Sequence, residues 1–218
     1  MGVGRTIRDL FAEHESVKRA IKQIGMPRMS SKEIREIITS RFGKAGLELA
    51  PNALELMDKL SGGMPGYAHI LGLNAGRKAV DRKKLNVQLD EALDSLEDCL
   101  KDAQESIRQA YSKATQSAQP GNYLKQALLA CALATSDDAH TFAAADVRKP
   151  ICEIMQRDWD IPDFARYLKA FCSKDRGKIL EREGSPKNYR YRFADAMMRP
   201  FVIMQGYKDE ILKPNGQT

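Results

Sequence analysis

Apolar residues recur at intervals of three and four along almost the whole chain, and only the stretch 178–193 alternates instead. A period near 3.6 builds amphipathic helices, whereas alternation builds half-buried strands. A mainly α fold with one short β-hairpin is therefore expected. The most regular run is Leu89, Leu93, Leu96, Leu100, Ala103, Ile107 and Ala110. Its heptad-like spacing predicts one long connecting helix over 87–115. The stripe weakens from Leu toward Ala, which favours packing on its own chain over a dimeric coiled coil.

Three shorter helices are expected before that run. Ser30 stands three residues ahead of Glu33, a capping-box pattern, and Ile34, Ile37, Ile38 and Phe42 follow at helical spacing. Gly43 and Gly46 stop this helix, and Pro51 opens a second one that carries Leu54, Met57 and Leu60. The break Ser61-Gly62-Gly63-Met64-Pro65 separates it from a third, with Tyr67, Ile70, Leu71 and Asn74 on one face. Pro120 and Gly121 mark the clearest internal boundary. The domain plan is then 1–29, a helical unit 30–85, the connecting helix 86–117, a C-terminal domain 118–206 and a flexible tail 207–218.

Within 118–206 the order is helix, helix, helix, strand, turn, strand. The helices carry Leu124 to Cys131, Ala145 to Met155 (with Pro150 expected to kink it) and Phe164 to Phe171. The strands are 178–182 and 189–193, around Gly184-Ser185-Pro186. This is the order of a winged helix-turn-helix, whose third helix enters the major groove while the hairpin touches the backbone. Between Lys174 and Arg192 seven basic residues face three acidic ones. Arg190 and Arg192 alternate with Tyr189 and Tyr191 and so share a strand face, with Arg182 and Lys187 adjoining. Arg166 and Lys169 lie on the third helix. These six residues are the candidate contacts to duplex DNA, the bland reading of the hairpin being a solvated surface; as a whole the chain reads alternatively as a non-ATPase winged-helix DNA-binding regulator or as a protein-interaction module working through the heptad helix.

The chain has 218 residues and a formal charge of +6, and no apolar run approaches the ~18 residues that a membrane span needs. No membrane partner and a cytoplasmic, reduced location are expected. Cys99, Cys131, Cys152 and Cys172 have no CxxC or finger spacing, and His14, His69 and His140 form no HExxH pair, so buried thiols and no metal site are expected. No GxxxxGK[ST] phosphate loop occurs: Gly43-Lys44 and Gly177-Lys178 are followed by Ala45 and Ile179. Autonomous ATP hydrolysis is not expected.

Two blocks carry a family resemblance. His14-Glu15-Ser16-Val17-Lys18-Arg19-Ala20-Ile21, continuing to Met26-Pro27-Arg28-Met29-Ser30, resembles the short helix and linker that enter the lid of AAA+ ATPases of the origin-initiator or STAND kind. Ser61-Gly62-Gly63-Met64-Pro65-Gly66-Tyr67-Ala68-His69 is similar to the signature of that lid, and Tyr191 to Phe201 to the winged-helix end of such proteins. The resemblance covers residues 2–206 and implies a remnant of the ATPase core edge at 1–29. It implies Arg19 as an arginine finger, and Gly63, Pro65 and His69 as lid contacts to a nucleotide. ATP or ADP with Mg would be the cofactor if an upstream ATPase segment supplies the Walker elements, which the sequence before the lid does not contain. Homo-oligomerisation is the further partner implied.

Overall fold

The computed structural model describes residues 28–117, 121–137, 139–186 and 188–213. Helix α1 (Ser31–Lys44) starts as the sequence predicts. The Glu33 carboxylate accepts from the Ser30 N–H at 2.8 Å, and the Ser30 hydroxyl accepts from the Glu33 N–H at 3.4 Å. Ile34, Ile38 and Phe42 are its buried face. Helix α2 (Pro51–Ser61) begins on Pro51 and ends at Gly62 in the left-handed region, φ +57°. Helix α3 (Pro65–Asp81) packs across both. Strands β1 (Glu48–Leu49) and β2 (Asn86–Val87) pair in parallel and tie the loop after α3 back beside the end of α1.

The long helix expected over 87–115 is three helices: α4 (Leu89–Asp94), α5 (Leu96–Asp102) and α6 (Glu105–Thr115). The Ser95 hydroxyl bonds back to the Ala92 carbonyl at 2.7 Å, and at Ala103 the backbone turns extended, with ψ 150°. A straight helix of this length would run about 43 Å and carry its stripe past the body it has to cover. Breaking it lets Leu96 and Leu100 pack beside α3 while Ile107 and Ala114 are buried farther along the chain. The stripe is thereby divided over three helices and packed within the chain rather than presented as one continuous seam.

Glu91 on α4 is fully buried and is held from three sides. Lys84 Nζ lies at 2.7 Å, Arg82 Nη1 at 3.0 Å, and the Gln88 N–H donates to it at 3.0 Å. These contacts, the Lys84 bond foremost, pull its carboxyl down to about 2 against the opposing effect of burial.

The remaining elements are α7 (Leu124–Leu133), β3 (Phe142–Ala143), α8 (Ala144–Met155), α9 (Ile161–Phe171), β4 (Leu180–Glu183), β5 (Arg190–Phe193) and α10 (Met198–Lys208). Helix α8 continues through Pro150 to Met155. β5 is the middle strand of an antiparallel sheet, with Tyr191 opposite Phe142 on one side and Arg182 on the other. The hairpin turn needs glycine: Gly184 has φ +91°, and a Cβ there would lie 2.4 Å from the Asn188 carbonyl oxygen.

Helix α10 is largely enclosed, with Met198, Phe201, Val202 and Met204 buried and Arg199, Ile203 and Tyr207 half-buried. It packs on α2, α5, α6 and α7, and Phe201 meets Tyr111 of α6 edge-on at 5.5 Å. Just before it, the Met197 carbonyl accepts from the Tyr67 hydroxyl of α3 at 2.9 Å. Arg199 donates to the carbonyls of Ala132 and Ala134 and to Ser136 Oγ, which satisfies the C-terminal end of α7. The tail expected from Tyr207 stays packed to Leu212, whose N–H bonds the Gly206 carbonyl at 3.1 Å. No helix among the described residues is long and apolar enough to cross a membrane.

Candidate nucleic-acid interface

Helix α9 presents an apolar face inward and a basic face outward. Asp160 caps it, its N–H donating to the Asp163 carboxylate at 2.8 Å, and Phe164, Tyr167, Leu168 and Phe171 are buried. Arg166 and Lys169 lie on the exposed side. The Arg166 guanidinium sits 4.8 Å from the Tyr167 ring centre and donates to its hydroxyl at 2.8 Å. After α9, Lys174 and Lys178 are exposed, and Arg182 on β4 lies 4.0 Å over the Tyr189 ring. Among the described residues, Arg166, Lys169, Lys174, Lys178 and Arg182 have no carboxylate partner.

The strand arginines are different. Side chains on β5 alternate as the sequence predicts, with Tyr191 turned into the core. Arg190, however, pairs with Asp137 at 2.6 Å and donates to Thr141 Oγ1 and the Thr141 carbonyl, both at 2.9 Å. The Asp137 carboxyl, bonded by the Thr141 hydroxyl and N–H and then by Arg190, is held at about 2. Arg192 bridges Glu181 at 3.1 Å and Glu183 at 3.2 Å. Both arginines therefore cross-link β5 to its neighbours, and their charge is compensated within the fold. Lys187 and Arg19 lie outside the described residues.

Beside α9, a cleft of about 520 Å³ is lined by Tyr123, Arg157, Trp159, Asp163 and Arg166 among others. Trp159 is a packing anchor, 3% exposed and edge-on to Tyr123 at 5.5 Å. Arg157 stacks over both rings, at 5.6 Å from Tyr123 and 4.7 Å from Trp159. No sequence signal marked Arg157: Trp159 is two residues on, but Tyr123, the ring that completes the stack, lies 34 positions upstream.

The residues that the resemblance assigns to a nucleotide do not converge. Gly63 has φ +75°, and a Cβ there would lie 2.8 Å from the Met29 carbonyl oxygen; its own carbonyl accepts from the Met29 N–H at 3.0 Å. Gly63 thus seats the segment that enters α1. Pro65 is a first-turn residue of α3 and offers no N–H. His69 lies a turn further on and lines an apolar groove that neither Gly63 nor Pro65 lines. These three do not come together as a phosphate cradle. The four cysteines are free, with Cys99 and Cys131 buried, and no group of His, Cys, Asp and Glu among the described residues is arranged to hold a metal ion. Compared with known protein families and with curated proteins, the chain gives no match.

Proposed function

We propose that residues 121–213 act as a winged helix that grips the phosphate backbone of duplex DNA, carried on a lid-like helical unit of an AAA+ or STAND-type ATPase. The order α7, β3, α8, α9, β4, β5 supports the winged-helix reading, with α9 as the groove-facing helix and the β4–β5 hairpin as the wing. The observation that carries DNA contact is the run of uncompensated cations from Arg166 and Lys169 on α9 through Lys174 and Lys178 to Arg182 on β4. Cations already matched by carboxylates release few counterions on binding; unmatched ones release many. Helix α10 supports the coupling half of the reading. It packs on both units, so a displacement of the lid would carry the wing with it. Binding of ATP with Mg, and hydrolysis of the ATP, would belong to an upstream ATPase segment, with this chain as its effector part. The test is binding of a short labelled duplex by the full chain at low salt, with and without Arg166→Ala/Lys169→Ala. Binding weakened in the variant supports the reading; binding indifferent to the variant, or absent at low salt, overturns it and makes the α9 face a protein-facing surface.

A further inference from the structure

A second surface lies in the helical unit, away from the cations of α9. A groove of about 380 Å³ runs between α1 and α3. Ile37 and Phe42 form one wall, and Leu73 and Val80 the other. Leu73 is 41% and Val80 59% exposed, and being seven residues apart they share one face of α3. Gly72 and Gly76 form the floor, bringing the backbone of α3 against the Phe42 ring; Cβ positions there would stand 3.5 and 3.7 Å from it. The Phe42 ring covers both glycines, so what the channel offers an occupant is apolar side chains, as a groove that takes the apolar face of an amphipathic helix does.

The rim of the groove selects the charge of its occupant. Arg41 and Arg77 both line it, and Asp81 is the one acid that does, at the far end of α3. Among the described residues the Arg41 side chain has no hydrogen bond or ion pair, and the Arg77 side chain has only a 3.5 Å contact to Asn74 Oδ1. On the same helices Arg35 pairs with Asp58 at 2.7 Å and Lys78 with Asp98 at 2.7 Å, whereas Lys32 and Lys44, at the two ends of α1, have no ion pair among the described residues. The unmatched positive charge of these helices therefore includes the two arginines that flank the apolar channel.

We propose that this groove docks an amphipathic α-helix of a partner protein. Apolar residues at i, i+3, i+4 and i+7 would seat between Leu73, Val80 and Phe42, and Asp or Glu on the flanks would face Arg41 and Arg77. From His69 to Asp81 the wall runs about 18 Å, the length of about 12 helical residues. The occupant is acidic because a basic helix would meet two unshielded guanidiniums, while a neutral one would leave them uncompensated at a partly dehydrated edge.

The probe is a fluorescein-labelled, end-capped helical peptide of about 14 residues with that leucine spacing and Glu flanks, set against its Lys-flanked twin. Anisotropy titration with the full chain should show saturable binding of the Glu peptide and at least about tenfold weaker binding of the Lys twin. Leu73→Glu/Val80→Glu should weaken the Glu peptide by at least about tenfold, with an unchanged melting temperature because both side chains are exposed. Arg41→Glu/Arg77→Glu should reverse the preference toward the Lys twin, a gain that a misfolded variant cannot produce. Equal binding of the two peptides, no binding of either, or binding indifferent to both variants overturns the proposal. So does a wild-type dimer in sedimentation that Leu73→Glu/Val80→Glu dissociates, because a second copy would then be the occupant.

Discussion

Replacing Arg166 and Lys169 together by Gln should flatten the salt dependence of duplex binding while leaving the fold intact. Both side chains are exposed, and the internal contacts given up are those of Arg166 to Tyr167, the hydroxyl bond, worth about 1 kcal/mol, and the guanidinium 4.8 Å from the ring centre. If Arg166, Lys169, Lys174, Lys178 and Arg182 all reach phosphates, the effective number of contacts is about 5, and log K falls with log salt at a slope of about −4.5. Raising KCl from about 50 to about 200 mM then weakens binding about 500-fold. The double variant, with about 3 contacts, should lose only about 40-fold over the same range, at a slope of about −2.7. Arg190→Gln/Arg192→Gln gives the contrast. Those charges are already matched by Asp137, Glu181 and Glu183, so the slope should stay near −4.5 while thermal stability drops. Anisotropy of a labelled duplex, titrated with each protein at four or more salt concentrations, gives the slopes directly. A slope unchanged by the first pair, or flattened equally by the second, refutes the argument that compensated arginines stay out of the interface.

Glu91→Gln should cost about 2 kcal/mol and lower the melting temperature by about 4–8 °C in calorimetry, because it removes the negative charge that Lys84 and Arg82 meet at one oxygen and the Gln88 N–H at the other, and turns one of those two acceptors into an NH2 donor. The Glu91 carboxyl sits at about 2 in the fold against an ordinary 4.5, so its contribution is complete above about pH 4.5 and is lost as the pH falls toward 2; the variant should show a flatter acid limb of melting temperature against pH. Gly63→Ala meets both a left-handed φ and the Met29 carbonyl, whereas Gly46→Ala, at φ +68° with nothing within 4 Å, meets only the dihedral strain. Denaturant midpoints should place the first at about 2 kcal/mol or more and the second near 1 kcal/mol. In native-state alkylation followed by mass spectrometry, Cys152 and Cys172 should react before Cys99 and Cys131; burial pushes the Cys99 thiol up to about 11 and Cys131 higher still.

Features written in local sequence were legible. The Ser30–Glu33 capping box, the Pro51 start of α2, the inward Tyr191 and the helix order of the C-terminal half follow from neighbours a few residues apart. Features set by distant partners were not. β1 and β2 are two residues each, too short for alternation to register, and they pair across 38 positions of sequence. The break at Ala103 has no Gly or Pro to announce it; it exists because the stripe on either side has different things to pack against. Arg190 reads as a phosphate contact from its strand pattern alone, yet Asp137 lies 53 positions away and only the fold brings them together. The unmatched cations were visible as residues, but which of them remain unmatched is a property of the tertiary structure.

Helix α10 also sets an order of events during synthesis. It follows every other helix described in the chain, yet α2 and α5, more than a hundred positions upstream, pack on it. At about 5–20 residues per second, the ribosome needs about 5–20 s between finishing Asp102 and finishing Lys208. For that interval the apolar surface around Leu60, Leu96 and Leu100 has no α10 to close over it. A nascent chain in this state is a natural client for a holding chaperone. Pausing within the codons for 103–197 would lengthen that exposure, whereas pausing after Lys208 has emerged would not.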